Sequence, residues 1–473
     1  MADFLSHTYL SPGYYSQFRF TRAEQGLSPL PLTVAMVGIQ TGTEAKPDVP
    51  EPVVNPDAAA ARYGQGCELA LMLDKCFETT ALYGQQPRIL AVPLTEPSGA
   101  GEQPAIRRIA LAGTATEAGI VRVRIGEVVA LAGAATGDDA STIAPRLVNA
   151  LGKHQRRLPV QVADAGSGNL DATHLSKGVN GNDVVIEVLD LPPGITASVA
   201  ETQPGVGQAS LTNALANLLA HDINGLAFAN HSNSDLQAFD THATAAWGAT
   251  QRRWRHGFFA HVGNNSHLGT LIGSVQAKHL CVLATEGAKS LPAQIAAAVC
   301  TLKFAATSPV RSFLGYDKLP LVPPEFGDQY TPDEIEEIHQ LGGSPLVAVG
   351  SRTDRMAVNA LNSTSLDEET RTLSVSVAAA AVERQIHNAV QRAMRSDGGP
   401  PRLVNSETMD QIRDVIVRVL RAAEAEQWLR NVAARLAQLA VGPGSTSTRV
   451  AAQIPLEPTP ELRQVLFDLT VHG

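Results

Sequence analysis

The chain has 473 residues and a mass of 49.9 kDa, enough for about three domains or for one large domain with an insertion. Apolar residues make up 44% and charged residues 18%, a composition that can bury a large core and excludes overall disorder. The formal net charge of −9 and the aromatic content of 5% argue against a nucleic-acid or anionic-membrane partner. Because the first residues lack a basic signal-peptide region and no run of about 18 apolar residues occurs, we expect a soluble protein made in a cytoplasm.

The first 20 residues contain a short strand pattern. Tyr14, Phe18 and Phe20 alternate with polar residues, which predicts one amphipathic strand. No hairpin partner follows it, because a Gly- and Pro-containing stretch leads directly into the next predicted strand, 32–39. We therefore expect the terminal strand to pair with a distant or separate sheet.

Between residue 40 and residue 104, the hydrophobic pattern predicts a helix over 67–80 and a strand over 88–94.

The region 104–204 has a different pattern of secondary structure from the residues around it. Gly- and Pro-rich stretches bound it on both sides, which is typical of domain boundaries. Inside it, the pattern predicts a helix and several short strands: helix 141–151 and strands 121–125, 160–163 and 184–189. This region is predicted to be a small α+β domain inserted into the core.

Helices and strands alternate after residue 208, which predicts βαβ units and a mostly parallel sheet. The predicted strands are 226–230, 258–262, 280–284 and 345–349, and the predicted helices are 211–220, 236–254, 292–304 and a broken or continuous helical region over 408–439. Residues 331–334, TPDE, have the pattern of a capped helix start, with Thr331 as the cap and Glu334 completing a capping box.

A second amphipathic strand lies near the end of the chain. After the spacer 442–445, the residues Val465, Phe467, Leu469 and Val471 alternate with polar ones. Both termini therefore carry a strand beyond a flexible spacer, and free strand edges favour pairing with another chain.

The predicted fold class is a mixed α/β and α+β multidomain protein with extended terminal strand arms. The predicted domains are an N-terminal arm (1–30), a first part of the core (31–103), an inserted outer domain (104–204), a second part of the core (205–441) and a C-terminal strand arm (442–473).

No catalytic, cofactor or metal site is predicted. The sequence lacks the common phosphate-binding, nucleophile-turn, zinc-protease and EF-hand motifs. The pairs at 107–108, 156–157 and 252–253 are isolated arginines, which favours solvated faces or subunit contacts over a nucleic-acid groove. Trp247 and Trp254 are seven apart on one predicted helix, the spacing of one packed face, and are expected to be core residues and not part of a site.

Seven histidines lie between residues 221 and 279: His221, His231, His242, His256, His261, His267 and His279. A metal site would need two histidines on one face at a short fixed spacing. His256 and His261 are five apart on a predicted strand and so lie on opposite faces. Polar residues near strand ends are the expected interpretation.

Several short motifs, in this order, resemble the contractile tail sheath proteins of tailed bacteriophages, especially the Mu-like branch. Residues 10–15, LSPGYY, resemble the family's "PGVY" start, and residues 63–69, YGQGCEL, resemble its "FGxGS-L" helix entry with Cys67 in the place of serine. Residues 350–353, GSRT, resemble its "GxRT" turn, and 449–456 followed by the terminal strand resemble its C-terminal hairpin. The resemblance covers nearly the whole chain.

The resemblance implies a structural subunit, not an enzyme, which polymerises around a tail tube and contracts to drive the tube through a host envelope for genome ejection. It implies a helical homopolymer, with six-fold rings, that contacts the tube protein, the baseplate and the tail terminator. No nucleic acid, membrane insertion or cofactor is expected, and the location is the virion tail after assembly in the host cytoplasm. The alternatives are the sheath of a phage-tail-like bacteriocin or secretion system, and an α/β enzyme with no recognisable motif.

The chain has four cysteines: Cys67, Cys76, Cys281 and Cys300. An even count means little in a cytosolic chain, but a released virion meets oxidising surroundings in which cross-links form. Cys67 and Cys76 are nine apart in one predicted helix, so they would lie about 13 Å apart along its axis and could not bond to each other. Small apolar core residues are the alternative interpretation of Cys281 and Cys300.

Overall fold

The computed structural model describes residues 32–83, 86–248, 251–306, 308–311, 318–348, 355–394, 404–445 and 450–461. These residues belong to two compact units. The first comprises 32–381 together with 458–461, and the second comprises 382–457. The structure thus has a multidomain α/β architecture, as predicted.

The strands of the described residues are β1 (Thr33–Ile39), β2 (Glu51–Val53), β3 (Arg88–Leu94), β4 (Ile106–Gly113), β5 (Gly119–Ile125), β6 (Val128–Ala134), β7 (Val160–Gly166), β8 (Asn169–His174), β9 (Ile186–Asp190), β10 (Ile195–Gln203), β11 (Gly225–Phe228), β12 (His256–Val262), β13 (Leu280–Thr285), β14 (Lys318–Leu319), β15 (Ser344–Ala348), β16 (Met356–Val358), β17 (Ala440–Pro443) and β18 (Val450–Gln453). The helices are α1 (Pro56–Tyr63), α2 (Glu68–Tyr83), α3 (Ala140–Gly152), α4 (Thr212–Leu218), α5 (Asn233–Trp247), α6 (Asn265–Gly273), α7 (Pro292–Ala305), α8 (Pro332–Leu341), α9 (Leu373–Met394), α10 (Ser406–Ala425) and α11 (Val432–Arg435).

A nine-stranded sheet forms the centre of the first unit, in the order β14-β16-β15-β13-β12-β11-β1-β3-β2. Its six strands from β15 to β3 run parallel, whereas β16, β14 and β2 are joined antiparallel at the edges. Strands β1, β11 and β13 are buried along their whole length, which explains their almost uninterrupted apolar sequences.

Helices cover both faces of this sheet. One apolar cluster packs α1, α2, α7 and the start of α9 on one face, and a second packs α4, α5, α6 and α8 on the other. Helix α7 is buried along its whole length, where it packs against α2 and against β1, β11 and β12 of the sheet. Within the described helices, none combines the length and hydropathy that crossing a bilayer would need.

The region between β4 and β10 forms its own layers. One sheet has the order β10-β4-β8-β7, a second has the order β6-β5-β9, and α3 packs with them around a third apolar cluster. That cluster also contains Leu71 of α2 and Leu291, both from the surrounding core. The predicted strands and helix of this region are all present, and the domain limits 104–204 stay a prediction.

The second unit contains α10, α11 and the antiparallel hairpin β17–β18. Asn405 caps α10, because its Oδ1 accepts a hydrogen bond from the backbone N–H of Thr408 at 2.8 Å. Residues between α10 and α11 leave the helical conformation, with Gln427 and Asn431 at positive φ. The predicted helical region 408–439 is therefore broken.

Three element predictions need correction. The predicted helix 236–254 ends at Trp247, so Trp254 lies in the loop before β12. The predicted helix over 67–80 begins at Glu68, which leaves Cys67 just before it. Helix α9 is 22 residues long and was not predicted.

Candidate functional site

The C-terminal hairpin is the candidate for joining one chain to another. Val441 pairs with Ala452 and Gly442 with Ala451, and most of the hairpin side chains are exposed on both faces. Among the described residues, no third strand extends either of its edges. The outer N–H and C=O groups of both strands are therefore available to another strand.

Glu457 anchors the end of this hairpin to the loop after α10. Its carboxylate accepts hydrogen bonds from the Arg435 Nε at 2.8 Å and the Asn431 Nδ2 at 2.9 Å, and it lies 2.9 Å from the Arg430 Nε. The hydrogen bonds from Arg435 and Asn431 lower the pKa of Glu457. The backbone N–H of Arg430 also donates to the carbonyl of Glu457, at 2.9 Å. The chain after β18 is thus held to the loop after α10 by side-chain and backbone contacts.

A two-stranded hairpin with small exposed side chains has little apolar surface to bury. Such hairpins are marginally stable alone and gain stability when further strands add to them. By contrast, the edge strands of the large sheet, β14 and β2, have two and three residues. Short edge strands are poor templates for strand addition. The hairpin is therefore the more suitable docking edge.

The predicted arm residues lie outside the described residues: Tyr14, Phe18, Phe20, Val465, Phe467, Leu469 and Val471. Arg352 and the rest of the GSRT turn also lie outside them. Strand pairing by these arms stays a prediction.

The four cysteines are free thiols and are all buried. The Cys76 Sγ lies 2.8 Å from the Thr301 Oγ1, and the Cys281 Sγ lies 3.3 Å from the Ser344 Oγ. Burial raises the pKa of Cys76 and Cys281 to about 12 and that of Cys67 to about 11. The structure thus contains no disulfide. A cross-link between subunits through Cys67, Cys76, Cys281 or Cys300 stays a prediction that this burial opposes.

The histidines are structural in character. His256 and His261 lie on opposite faces of β12, as predicted: His256 contacts Ser376 at 3.1 Å, and the His261 ring packs on that of His267. Burial lowers the pKa of His256 to about 3 and that of His261 to about 4. In the part of the chain that the structure describes, no group of three or more His, Cys, Asp or Glu side chains could hold a metal ion.

Several arginines of the predicted pairs make internal contacts. Arg108 forms a bidentate ion pair with Asp171, at 2.7 and 2.8 Å, and Arg107 donates to the backbone carbonyls of Val184 and Asn182. Arg157 contacts Glu78 of α2 at 2.8 Å. These arginines hold the inserted region together and attach it to the core.

Two buried lysines hold the inserted region against the core. The Nζ of Lys75 on α2 lies 2.7 Å from the Oε2 of Glu127, in the turn between β5 and β6. Lys289 forms an ion pair with Glu187 of β9. Both lysine side chains are at most 7% exposed, so removing the carboxylate partner of either would leave a buried cation with one ion pair fewer.

The backbone at Gly66, in the YGQGCEL motif, requires a glycine. Its φ is +71°, and a Cβ built at this position would lie 2.1 Å from the carbonyl oxygen of Leu158. The inserted region thus packs directly on the backbone that leads into α2.

Neither a protein-family model nor a curated protein matches the sequence. Solved structures do match along nearly the full length. A sheath tail protein from Desulfitobacterium hafniense has 12% identity and a TM-score of 0.51, with 95% of this chain and 97% of that chain covered. A sheath tail protein from Listeria innocua has 13% identity and a TM-score of 0.52, with 92% and 94% covered. The chain has the sheath protein fold.

The sheath fold also occurs in a different kind of machine. The contracted sheath complex of the extracellular contractile injection system PVC matches at 9% identity and a TM-score of 0.51, with 98% of each chain covered. The aligned residues make up nearly all of both chains, so the alignment includes the inserted region and the described C-terminal segment and is not limited to the central sheet.

Sequence patterns alone missed the groups that fix the hairpin of this sheath fold. Glu457 and Arg435 are 22 residues apart and belong to no recognisable motif, so only the folded chain brings them together. The predicted C-terminal hairpin joined the segment 449–456 to the terminal strand, which lies outside the described residues. The segment does contain β18, but β18 pairs with β17, so the prediction that 442–445 is a spacer was wrong for residues 442 and 443.

Proposed function

We propose that this chain is the structural subunit of the contractile tail sheath of a bacteriophage and that it has no enzymatic activity. The full-length match to sheath proteins carries this proposal. The proposed subunits form a helical homopolymer of six-fold rings around a tail tube, in contact with a baseplate and a tail terminator, and contraction drives the tube through the host envelope. The phage assignment rests on the chain length and on the resemblance of residues 112–115, AGTA, and 181–183, GND, in the region 104–204 to points in the Mu-like inserted domain.

The exposed hairpin supplies the chemistry of polymerisation. Terminal strands from neighbouring subunits would add to the free edges of β17–β18, so that backbone hydrogen bonds join the copies. Such a junction tolerates rotation of the subunits, whereas a side-chain interface would have to break. The predicted N-terminal arm (1–30) and the terminal strand of the predicted C-terminal arm (442–473), an arm that also contains β18, would provide these strands.

The ion pairs of the inserted region support rigid-body movement. Contraction without nucleotide hydrolysis requires subunits that rotate as units between two packing arrangements. The buried pairs Lys75–Glu127 and Lys289–Glu187 make the first unit resistant to internal deformation. We place the inserted region on the outer surface of the sheath, because at the inner wall it would obstruct the tube.

Electron microscopy of purified protein tests the proposal. The full chain should form tubes or ring stacks, and a variant lacking 462–473 should remain folded and monomeric, because Glu457 and Glu461 stay in place. Compact particles from the full chain would favour the α/β enzyme. Normal tubes from the truncated variant would contradict the role of the C-terminal strand.

Two proline variants test the hairpin edge. Successive N–H groups in a strand point to opposite sides, so of Ala451→Pro and Ala452→Pro one removes a hydrogen bond within the hairpin and the other removes a donor from the free edge. The variant that removes a donor from the free edge should keep the circular dichroism spectrum of the unmodified chain and lose assembly. If both variants assemble like the unmodified chain, strand addition at β18 is wrong.

A further inference from the structure

A patch of tryptophan and basic residues lies at the amino-terminal edge of the nine-stranded sheet. Trp247 ends α5 and Trp254 precedes β12, and their rings meet edge to face with centroids 4.8 Å apart. Both are only partly buried, although they are two of the three tryptophans in the chain. Tryptophan and arginine are the residues most enriched among those that dominate binding at protein interfaces.

Four cations belong to this patch: Arg88, Arg252, Arg253 and Lys278. The Lys278 Nζ lies 5.0 Å from the centre of the Trp247 ring. Arg88 is the exposed first residue of β3. Because four strand spacings of about 4.8 Å separate β13 from β3, the patch is roughly 20 Å long. No ion pair involves Arg88 or Arg253 within the described ranges of the chain.

Hydrogen bonds of a buried arginine fix the conformation of the loop that carries part of the patch. Arg255 is 0% exposed and donates to the backbone carbonyls of Leu218 at 2.8 Å and His221 at 2.7 Å. The Trp247 Nε1 donates to the carbonyl of Arg255 at 3.0 Å. The loop that carries Arg253 and Trp254 is thus fixed before any partner binds, which reduces the entropy cost of binding.

Two carboxylates lie near the patch. The Asp240 Oδ1 lies 2.9 Å from the Nε2 of His279, and burial lowers the pKa of His279, so the neutral ring leaves the charge of Asp240 in place. Asp222 is exposed beside His221. With four cations against these two carboxylates, the patch is net basic on a chain whose net charge is −9.

The complementary surface lies elsewhere on the same chain. Helix α8 exposes Asp333, Glu336 and Glu337, and the loop 367–369, DEE, is exposed near the other end of this helix. In the described part of the structure, no ion pair involves these carboxylates. The Arg371 Nη2 donates to the carbonyls of His339 and Gln340, at 2.6 and 2.7 Å, which fixes the loop against the end of α8.

We propose that the Trp247–Trp254 patch binds the acidic α8 surface of a second copy of this chain. The two surfaces are different and do not overlap, so the contact is heterologous and continues from copy to copy, as a sheath requires. This inference rests on the proposed function. Electrostatic complementarity of this kind selects the partner and the orientation of binding.

Two charge-reversed variants, measured separately and as a mixture, test the contact. The variant Arg88→Glu/Arg253→Glu and the variant Glu336→Lys/Glu337→Lys should each lose assembly by about tenfold or more, because like charges then face each other. An equimolar mixture should assemble again, since the altered copies can alternate with every contact complementary. The exposed pair Arg122→Glu/Lys153→Glu makes the same change in net charge and should assemble normally.

Thermal unfolding first confirms that each variant is folded. The assembly results then distinguish three conclusions. If the unmodified chain fails to assemble, the proposed function is wrong. If it assembles and the reversed variants do too, the contact is wrong. If each variant fails alone and the mixture also fails, the patch binds a different partner, such as an acidic tube protein, and the proposed occupant is wrong.

Discussion

The Lys75 Nζ lies 2.7 Å from the Glu127 Oε2, and this contact joins helix α2 of the core to the turn between β5 and β6 of the inserted region. The same Lys75 Nζ donates to the Pro320 carbonyl at 2.6 Å and contacts Glu78 at 2.8 Å. Its side chain is 7% exposed, so one buried cation connects α2 with two other segments of the chain. The inserted region is therefore attached to the core through a buried ion pair.

Replacing Lys75 by methionine should destabilise the first unit by about 3–5 kcal/mol, because Glu127 would remain buried without its cation. Urea unfolding followed by circular dichroism measures this. The more exposed pair Arg146–Asp138 gives the control: Arg146→Met should cost clearly less than Lys75→Met. Equal effects of the two substitutions would show that the buried pair has no special role.

The stability of the first unit should fall as the pH rises toward 9. Burial opposes the charged ring of His231, but the contact with Asp183 at 3.2 Å outweighs it and raises the pKa of His231 from 6.5 to about 9. Since the folded state holds this proton more tightly than the unfolded state, the stabilisation is complete below pH 6.5 and disappears as the pH passes about 9.

Unfolding experiments between these two pH values provide the measurement. The variant His231→Gln should lose less stability over this range than the unmodified protein, and exposed His154→Gln should behave like the unmodified protein. An unchanged pH dependence in His231→Gln would refute the assignment to this ion pair.

Much of the sheet could be predicted from the sequence, because buried parallel strands have continuous apolar runs. The predicted strand 88–94 coincides with β3, and the capping box at Thr331 and Glu334 coincides with the start of α8. Helix α9 was not predicted, although its buried apolar residues include two pairs at helical spacing, Leu373 with Val377 and Val382 with Ile386.

Long-range pairing could not be predicted. The contacts that matter for the candidate interface, such as Arg435 with Glu457 or Arg255 with the end of α4, join residues that are 22 to 37 positions apart and share no motif. Tertiary packing also overrode the helical period that placed Trp254 in a helix.

Glu457→Gln should loosen the hairpin without unfolding the first unit. The hydrogen bonds that lower the pKa of Glu457 stabilise its charged form, so this anchor is present above pH 4.5 and is lost as the pH falls through the lowered value. Hydrogen exchange of the amides 440–453 should speed up at neutral pH. Exposed Glu407→Gln should leave the exchange unchanged, and equal protection in both variants would contradict the anchor.

The thiols should be unreactive in the folded protein. Cys67, Cys76, Cys281 and Cys300 are at most 2% exposed, and burial keeps them protonated. A thiol reagent should modify them only after denaturation, whereas the control Val54→Cys, at a position 85% exposed, should react at once. A disulfide-linked ladder on a non-reducing gel of assembled particles would instead support the cross-links.

Cryo-electron microscopy of the purified full-length chain tests the central claim most directly. The account predicts tubular or ring assemblies in which strands from other copies are hydrogen-bonded to the free edges of β17–β18. Compact particles, or assemblies in which both edges of this hairpin face solvent, would contradict it.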